Sequence, residues 1–150
     1  IAIDMPEGRA KQHTLPGDIV LLDETYNAGL ESMTAALHLL AQTPGRRRLA
    51  LLGTMKELGN RAPEFPQQIG RLAAELKLDP LYVLTDDPTA EAIATGATTA
   101  ATPIPCTTMT NHDEAIAVLR KELTGGDRLL LKASHSVGLE KIVQSLVEAQ

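Results

Sequence analysis

Short aliphatic runs alternate along this chain with stretches whose apolar residues recur every three or four positions. Ile19-Val20-Leu21-Leu22 follows the turn signal Pro16-Gly17-Asp18, and a helical pattern with Met33, Ala36, Leu37, Leu40 and Ala41 on one face comes next. Thr43-Pro44-Gly45 ends it, and Leu49-Ala50-Leu51-Leu52-Gly53 is the second run. Ile69, Leu72, Ala73 and Leu76 predict a second helix, with Pro66 in its first turn, where a missing N–H costs little. Leu81-Tyr82-Val83-Leu84 is the third run, residues 89–95 a short helix, and Cys106-Thr107-Thr108-Met109 a fourth, poorly marked strand. Asn111 with Glu114 three residues on resembles a capping box and opens a helix through Leu123, which Gly125-Gly126 stops. Leu129-Leu130-Leu131 is the last run. The final helix carries Leu139, Ile142, Val143, Leu146 and Val147 on one face.

The runs are continuous rather than alternating, as suits strands covered on both faces. Strand–helix repeats of this length give parallel strands joined by right-handed crossovers. The expected fold is a three-layer α/β sandwich, Rossmann-like, with a mainly parallel sheet. Residues 1–17 fall outside the repeat and are expected to form an antiparallel edge strand or a linker from a preceding domain. Residues 18–150 then make the single domain. The chain opens on Ile1 rather than Met and is read as a piece of a longer protein.

Composition narrows the function classes. At 150 residues the chain fits one domain of the usual roughly 100–200 residues. The only aromatics are Phe65, Tyr26 and Tyr82, so the core is aliphatic. Cys106 has no partner in the chain, which excludes a disulfide scaffold. No apolar run approaches the ~20 residues of a membrane span, and no secretory leader is evident, so a cytoplasmic location is expected. A net charge of −5 argues against a nucleic-acid partner. Arg46-Arg47-Arg48, the one basic cluster, reads as a solvated turn rather than a phosphate site. The four histidines lack ligand spacing, so no metal site is expected. A monomer is expected, because no long exposed apolar stripe is evident.

In an open parallel sheet, ligands bind beyond the carboxyl ends of the strands. That rule selects Asp23-Glu24-Thr25-Tyr26-Asn27, Gly53-Thr54-Met55-Lys56-Glu57-Leu58-Gly59, Asp86-Asp87 and Lys132-Ala133-Ser134-His135-Ser136. Tyr26 and Asn27 in one loop are poor packing material. Gly53 and Gly59 permit tight turns or close approach to a ligand, although no Walker phosphate loop is present. Lys132 ends an apolar strand just before Ser134 and His135 at the start of a helix, a placement suited to an anion.

Several of these stretches resemble the Mur ligase family, in the branch that joins D-alanyl-D-alanine to UDP-N-acetylmuramoyl-tripeptide for peptidoglycan. Leu22-Asp23-Glu24-Thr25-Tyr26-Asn27-Ala28 with Ser32-Met33 is similar to its Asp-Asp-x-Tyr-Asn-Ala-Asn-Pro-x-Ser-Met segment. Leu52-Gly53-Thr54-Met55-Lys56-Glu57-Leu58-Gly59 is similar to Leu-Gly-Asp-Met-x-Glu-Leu-Gly, and Leu131-Lys132-Ala133-Ser134-His135 to Val-Lys-Gly/Ala-Ser-Arg. Gly8-Arg9 matches the Gly-Arg that begins the family's C-terminal domain. The matches occur in order over nearly the whole chain. Glu24, Thr54, Pro66 and His135 stand where the family has Asp, Asp, His and Arg.

The resemblance implies the C-terminal domain of an ATP-dependent ligase, inactive alone, whose N-terminal and central domains are its partners. ATP activates a substrate carboxylate as an acyl phosphate, and the dipeptide amine displaces phosphate. Magnesium and most of the nucleotide belong to the central domain. By this resemblance Arg9 and Lys132 are the catalytic groups, Arg9 reaching the ATP phosphates from the hinge, where a guanidinium stabilises developing charge. Asp23 and Glu24 lie near the ribose, with Tyr26 and Asn27 lining the cleft. Asn27, Lys132, Ser134 and His135 face the dipeptide.

Two other readings compete. A receiver domain has an acidic pair, a phospho-acceptor and a lysine, a plan into which Asp23-Glu24, Asp86 and Lys132 can be fitted. It leaves Tyr26-Asn27 and the Gly53…Gly59 loop unexplained, and Ala133 replaces the proline that normally follows that lysine. A diverged, non-catalytic interaction domain is the other alternative.

Overall fold

The computed structural model describes residues 11–24, 29–55, 64–85 and 87–148. Six strands form one sheet: β1 (Lys11–Leu15), β2 (Ile19–Glu24), β3 (Arg47–Leu52), β4 (Leu81–Leu84), β5 (Cys106–Met109) and β6 (Asp127–Lys132). Their order across the sheet is β1-β2-β6-β3-β4-β5. All neighbours are parallel except β1 and β2, which pair antiparallel from Lys11↔Asp23 to Leu15↔Ile19. The expected α/β sandwich with an antiparallel edge strand is therefore observed.

Five helices cover the sheet: α1 (Leu30–Gln42), α2 (Glu64–Glu75), α3 (Pro88–Thr98), α4 (His112–Glu122) and α5 (Leu139–Glu148). Strand side chains alternate between the two faces. Val20, Leu22, Ala50, Leu52, Leu81, Val83 and Leu130 pack on one side with residues of α1, α2 and α3. Leu21, Leu49, Leu51, Tyr82, Leu84, Leu129 and Leu131 pack on the other with residues of α4 and α5. Both sets are removed from water, which is why the runs read as continuous. Each fully buried leucine contributes about 1.5–3 kcal/mol relative to an exposed one.

Local signals explain the helix starts. Asp87 accepts from the Thr89 amide at 2.9 Å, which caps α3. Helix α3 extends three residues past the predicted 89–95 because its inner face, with Ala90, Ile93 and Ala97, continues to the end. Asn111 Oδ1 accepts from the Glu114 amide at 2.8 Å, whereas the Glu114 carboxylate accepts from the Thr110 amide at 2.7 Å. The reciprocal half of the expected capping box has moved one residue outward. Helices α2 and α3 meet through glycines: a Cβ on Gly70 would strike the Ile93 carbonyl, and one on Gly96 the Gln67 carbonyl. Among the described residues no helix is long and apolar enough to cross a membrane.

Candidate functional site

The parallel strands end together at one rim, and two adjacent strands, β2 and β6, place polar side chains there. Glu24 ends β2 and Lys132 ends β6, and the two are register partners. Leu52, which ends β3, is the partner of Lys132 on its other side. The ammonium of Lys132 lies 3.0 Å from Glu24 Oε1, with the residues 1 % and 2 % exposed. A buried charge is tolerated only when paired, so each residue makes the other possible. The sequence predicts a buried stem for Lys132 with its ammonium on the rim. The stem is buried, and the ammonium is bound to Glu24.

The ladder continues past the strands. The Gly53 amide donates to the Lys132 carbonyl at 3.2 Å, and the Ser134 amide donates to the Thr54 carbonyl at 2.8 Å. A Cβ on Gly53 would stand 3.0 Å from the Ala133 Cβ, so the absent side chain lets the two loops close on each other. Thr54 and Ser134 are both buried, at 3 % and 6 % exposure. The Thr54 hydroxyl has no hydrogen-bond partner.

After Ser134 the chain makes a three-residue 3-10 turn, His135–Val137, and α5 begins only at Leu139. The helix start expected at Ser134 and His135 is thus this short turn. A ring nitrogen of His112 donates to the Val137 carbonyl at 2.8 Å, which ties the turn to the start of α4. His135 and Ser136 are exposed. Asp23 points to the opposite face from Glu24, where His13 Nε2 lies 3.3 Å from Asp23 Oδ2. A shallow depression lined by Leu30, Glu31, Ser32, Thr34, Ala35 and Gln68 adjoins the first turns of α1.

The structure therefore brings together Glu24, Lys132 and Ser134 of the predicted residues, with His135 on the following turn and Asp23 on the other side of β2. Arg9, Tyr26 and Asn27 lie outside the described residues, as does Asp86 of the receiver alternative. The sequence analysis picked out Thr54 only as part of the Gly53…Gly59 loop and gave its hydroxyl no role. Its signal was its position, two residues past an apolar run and next to Gly53. Cys106 is half-buried, and burial pushes its thiol up to about 11, which suits a small hydrophobe.

The amino ends of the strands carry a second polar cluster. Arg47 donates to both oxygens of Asp127, at 2.9 and 2.7 Å, and the Thr124 amide donates to Asp127 at 2.8 Å. Burial works against the charge of Asp127, but Arg47 and Thr124 outweigh it and hold the carboxyl below the usual carboxylate range. Arg128 donates to the carbonyls of Pro44 and Asp18, at 2.9 and 2.6 Å. Arg47 and Arg48 belong to β3 and Arg47 is clamped on Asp127, so the arginine run is a structural fastening rather than the solvated turn expected.

Comparison with known proteins places the chain in context. The family described as Mur ligase, glutamate ligase domain, matches residues 8–135. The UDP-N-acetylmuramoyl-tripeptide–D-alanyl-D-alanine ligase of Synechocystis is 48 % identical over 98 % of this chain and 32 % of the relative. The ligase of that name from Mycobacterium leprae is 34 % identical over 93 % of the chain and 30 % of the relative. Among solved structures, the MurF ligase of Thermotoga maritima in complex with ADP superposes with a TM-score of 0.77 at 28 % identity, covering 96 % of this chain and 31 % of that one. The chain spans about a third of the length of the curated relatives it matches.

Proposed function

The chain belongs to the Mur ligase family and carries its C-terminal domain, and on that premise we propose that it is the part of an ATP-dependent ligase that closes over the substrates. The reaction joins D-alanyl-D-alanine to UDP-N-acetylmuramoyl-tripeptide. The γ-phosphoryl group of ATP passes to the tripeptide carboxylate, giving an acyl phosphate and ADP. The dipeptide amine attacks the acyl carbon, the C–O bond to phosphate breaks, and the amine gives up a proton. The observation that carries this reading is the polar carboxyl-end rim, with Glu24 and Lys132 on adjacent strands and Ser134 just past the second, in a chain 48 % identical to such a ligase.

Within that reading the buried Lys132–Glu24 pair fixes the tips of β6 and β2, and so the backbone that leads into Ser134. Ser134 and His135 face the dipeptide, whose carboxylate accepts from hydroxyl and imidazole donors. Asp23, held by His13, accepts hydroxyl hydrogens of the ribose, with Tyr26 and Asn27 beside it and Arg9 on the phosphates. Among the described residues no group of three or more His, Cys, Asp or Glu could hold a metal ion. By the family resemblance, the reading assigns the magnesium of the nucleotide to the central domain. In that whole enzyme, amide formation must require both ATP and D-alanyl-D-alanine and must release phosphate. Product formed without ATP, or phosphate released with no dipeptide joined, would sink the proposal.

A further inference from the structure

We propose that His112 is a positioning residue for the ligase reaction: its ring holds the turn that presents His135 to the incoming dipeptide. The proposal rests on the ligase reading above and adds to it a residue from another element, 25 positions before the carbonyl it holds.

The turn His135–Val137 is three residues long, and its own backbone holds it weakly. The Val137 amide donates to the Ser134 carbonyl at 2.9 Å, and the Gly138 amide to the His135 carbonyl at 3.0 Å. Bonds of this 3-10 kind have poorer geometry than those of an α-helix. Helix α5 does not extend its ladder to the turn. Gly138 lies between them in the left-handed region, at φ 77°. In a continuous α-helix the Lys141 amide would donate to the Val137 carbonyl. It donates instead to the Gly138 carbonyl, at 3.1 Å. That leaves the Val137 carbonyl to His112, whose Nε2 lies 2.8 Å away. A carbonyl only accepts, so Nε2 carries the proton.

Both partners of this contact are fixed. His112 is the first residue of α4, whose start is set by the Asn111 cap. The Val137 side chain is buried in the same cluster as Ala115 of α4. At the other end of the turn the Ser134 amide donates to the Thr54 carbonyl. The turn is thus pinned at its entry by the loop after β3 and at its exit by α4. Between the two pins His135 and Ser136 are exposed. The imidazole of His135 takes its direction from the backbone beneath it, and His112 fixes that backbone. A displacement of about 1 Å in a group that meets substrate can cost up to a hundredfold in rate.

The test compares His112→Ala, His112→Gln and His112→Asn in the whole ligase. A glutamine amide nitrogen reaches the place of Nε2, whereas an asparagine amide stops near that of Nδ1. Thermal unfolding, kcat, KM for ATP and for D-alanyl-D-alanine, and hydrogen exchange over residues 135–138 are measured on each. The alanine and asparagine variants should raise the dipeptide KM about tenfold, with kcat and the ATP KM within about twofold. Exchange of the Val137 and Gly138 amides should rise about tenfold in the same two variants, the scale of one lost hydrogen bond. Glutamine should restore both. His135→Ala supplies the background that identifies the route. If His112 acts through His135, adding His112→Ala to that variant changes the dipeptide KM by less than about twofold. Multiplying effects of the two substitutions would overturn the proposal. So would a glutamine variant no better than alanine, or faster exchange with the KM unmoved, which would make the contact structural only. If the alanine variant does not fold, glutamine against asparagine carries the same comparison. Wild-type enzyme that forms no amide refutes the ligase reading and the proposal with it. Normal amide formation with the dipeptide KM unmoved in every variant overturns the proposal alone.

Discussion

The two ends of the sheet are built from similar materials to different purposes. At the amino end a buried carboxylate, Asp127, meets a bidentate arginine and a backbone amide, and the arginines around it are absorbed by turn carbonyls. At the carboxyl end a buried carboxylate, Glu24, meets a lysine, and beside that pair lies a hydroxyl with no partner. An end whose polar groups are satisfied by the fold serves the fold. The other end keeps the buried Thr54 hydroxyl unsatisfied, at the edge where open α/β sheets bind ligands. The difference teaches that burial and charge alone do not distinguish the two ends; the partners of the buried polar groups do.

The sharpest way to break this comparison is Lys132→Met. It leaves Glu24 buried without its cation, and removing one member of a buried pair costs about 3–5 kcal/mol. Chemical denaturation should show that loss, and adding Glu24→Gln should recover a large part of it, because the stranded charge is then gone. Full additivity of the two substitutions would mean that the pair is not coupled. The double variant, though refolded, should bind substrate poorly, since the ion pair that fixes the tips of β2 and β6 has been removed.

Asp127→Asn at the other end should cost less, about 2–3 kcal/mol, because Arg47 is partly exposed and keeps some hydration. Its signature is pH dependence. The folded-state pKa of Asp127 is lowered, so its stabilisation is present above the ordinary carboxylate range and is lost as pH falls through the folded value. The Tm gap between wild type and Asp127→Asn should be full at pH 7 and should narrow only as pH falls below about 4, closing below the lowered folded-state value. A gap independent of pH would show that Asp127 acts through shape rather than charge.

The smallest effect expected is that of Tyr82→Phe. It removes the donor that meets Glu122 Oε1 at 2.7 Å and should cost about 1 kcal/mol by thermal unfolding, with ligand binding unchanged. Altered binding in this variant would mean that the amino end communicates with the site, against the division drawn here.

Much of this was legible in the chain. Continuous runs such as Leu49-Ala50-Leu51-Leu52 report strands buried on both faces, because alternate side chains enter the two hydrophobic clusters. The carboxyl-end rule then picked out Asp23, Glu24, Lys132 and Ser134 without any knowledge of the sheet order. What stayed hidden was pairing. Nothing local says that Arg47 meets Asp127 eighty residues on, or that Lys132 meets Glu24 across 108 residues, because the crossovers that join them carry no record of their partners. The basic run was misread for that reason: three adjacent arginines look solvated until the strand that receives them is known. Asp127 and Arg128 precede the apolar run that marks β6, so charge concealed the first residues of that strand. Thr54 shows the same limit. Its position was legible, but its lack of a partner is a property of the packed rim alone.

The most direct test of the division between the two ends is a paired kinetic measurement on the whole ligase at a temperature where all variants are folded. Lys132→Met with Glu24→Gln disturbs the carboxyl end, and Asp127→Asn disturbs the amino end. The account predicts that the first lowers kcat/KM for D-alanyl-D-alanine by about a hundredfold, the scale of a misplaced positioning group, while the second leaves it within about twofold, the scatter of a spectator. Equal losses at the two ends, or a loss only with Asp127→Asn, would contradict the assignment of the site to the carboxyl-end rim.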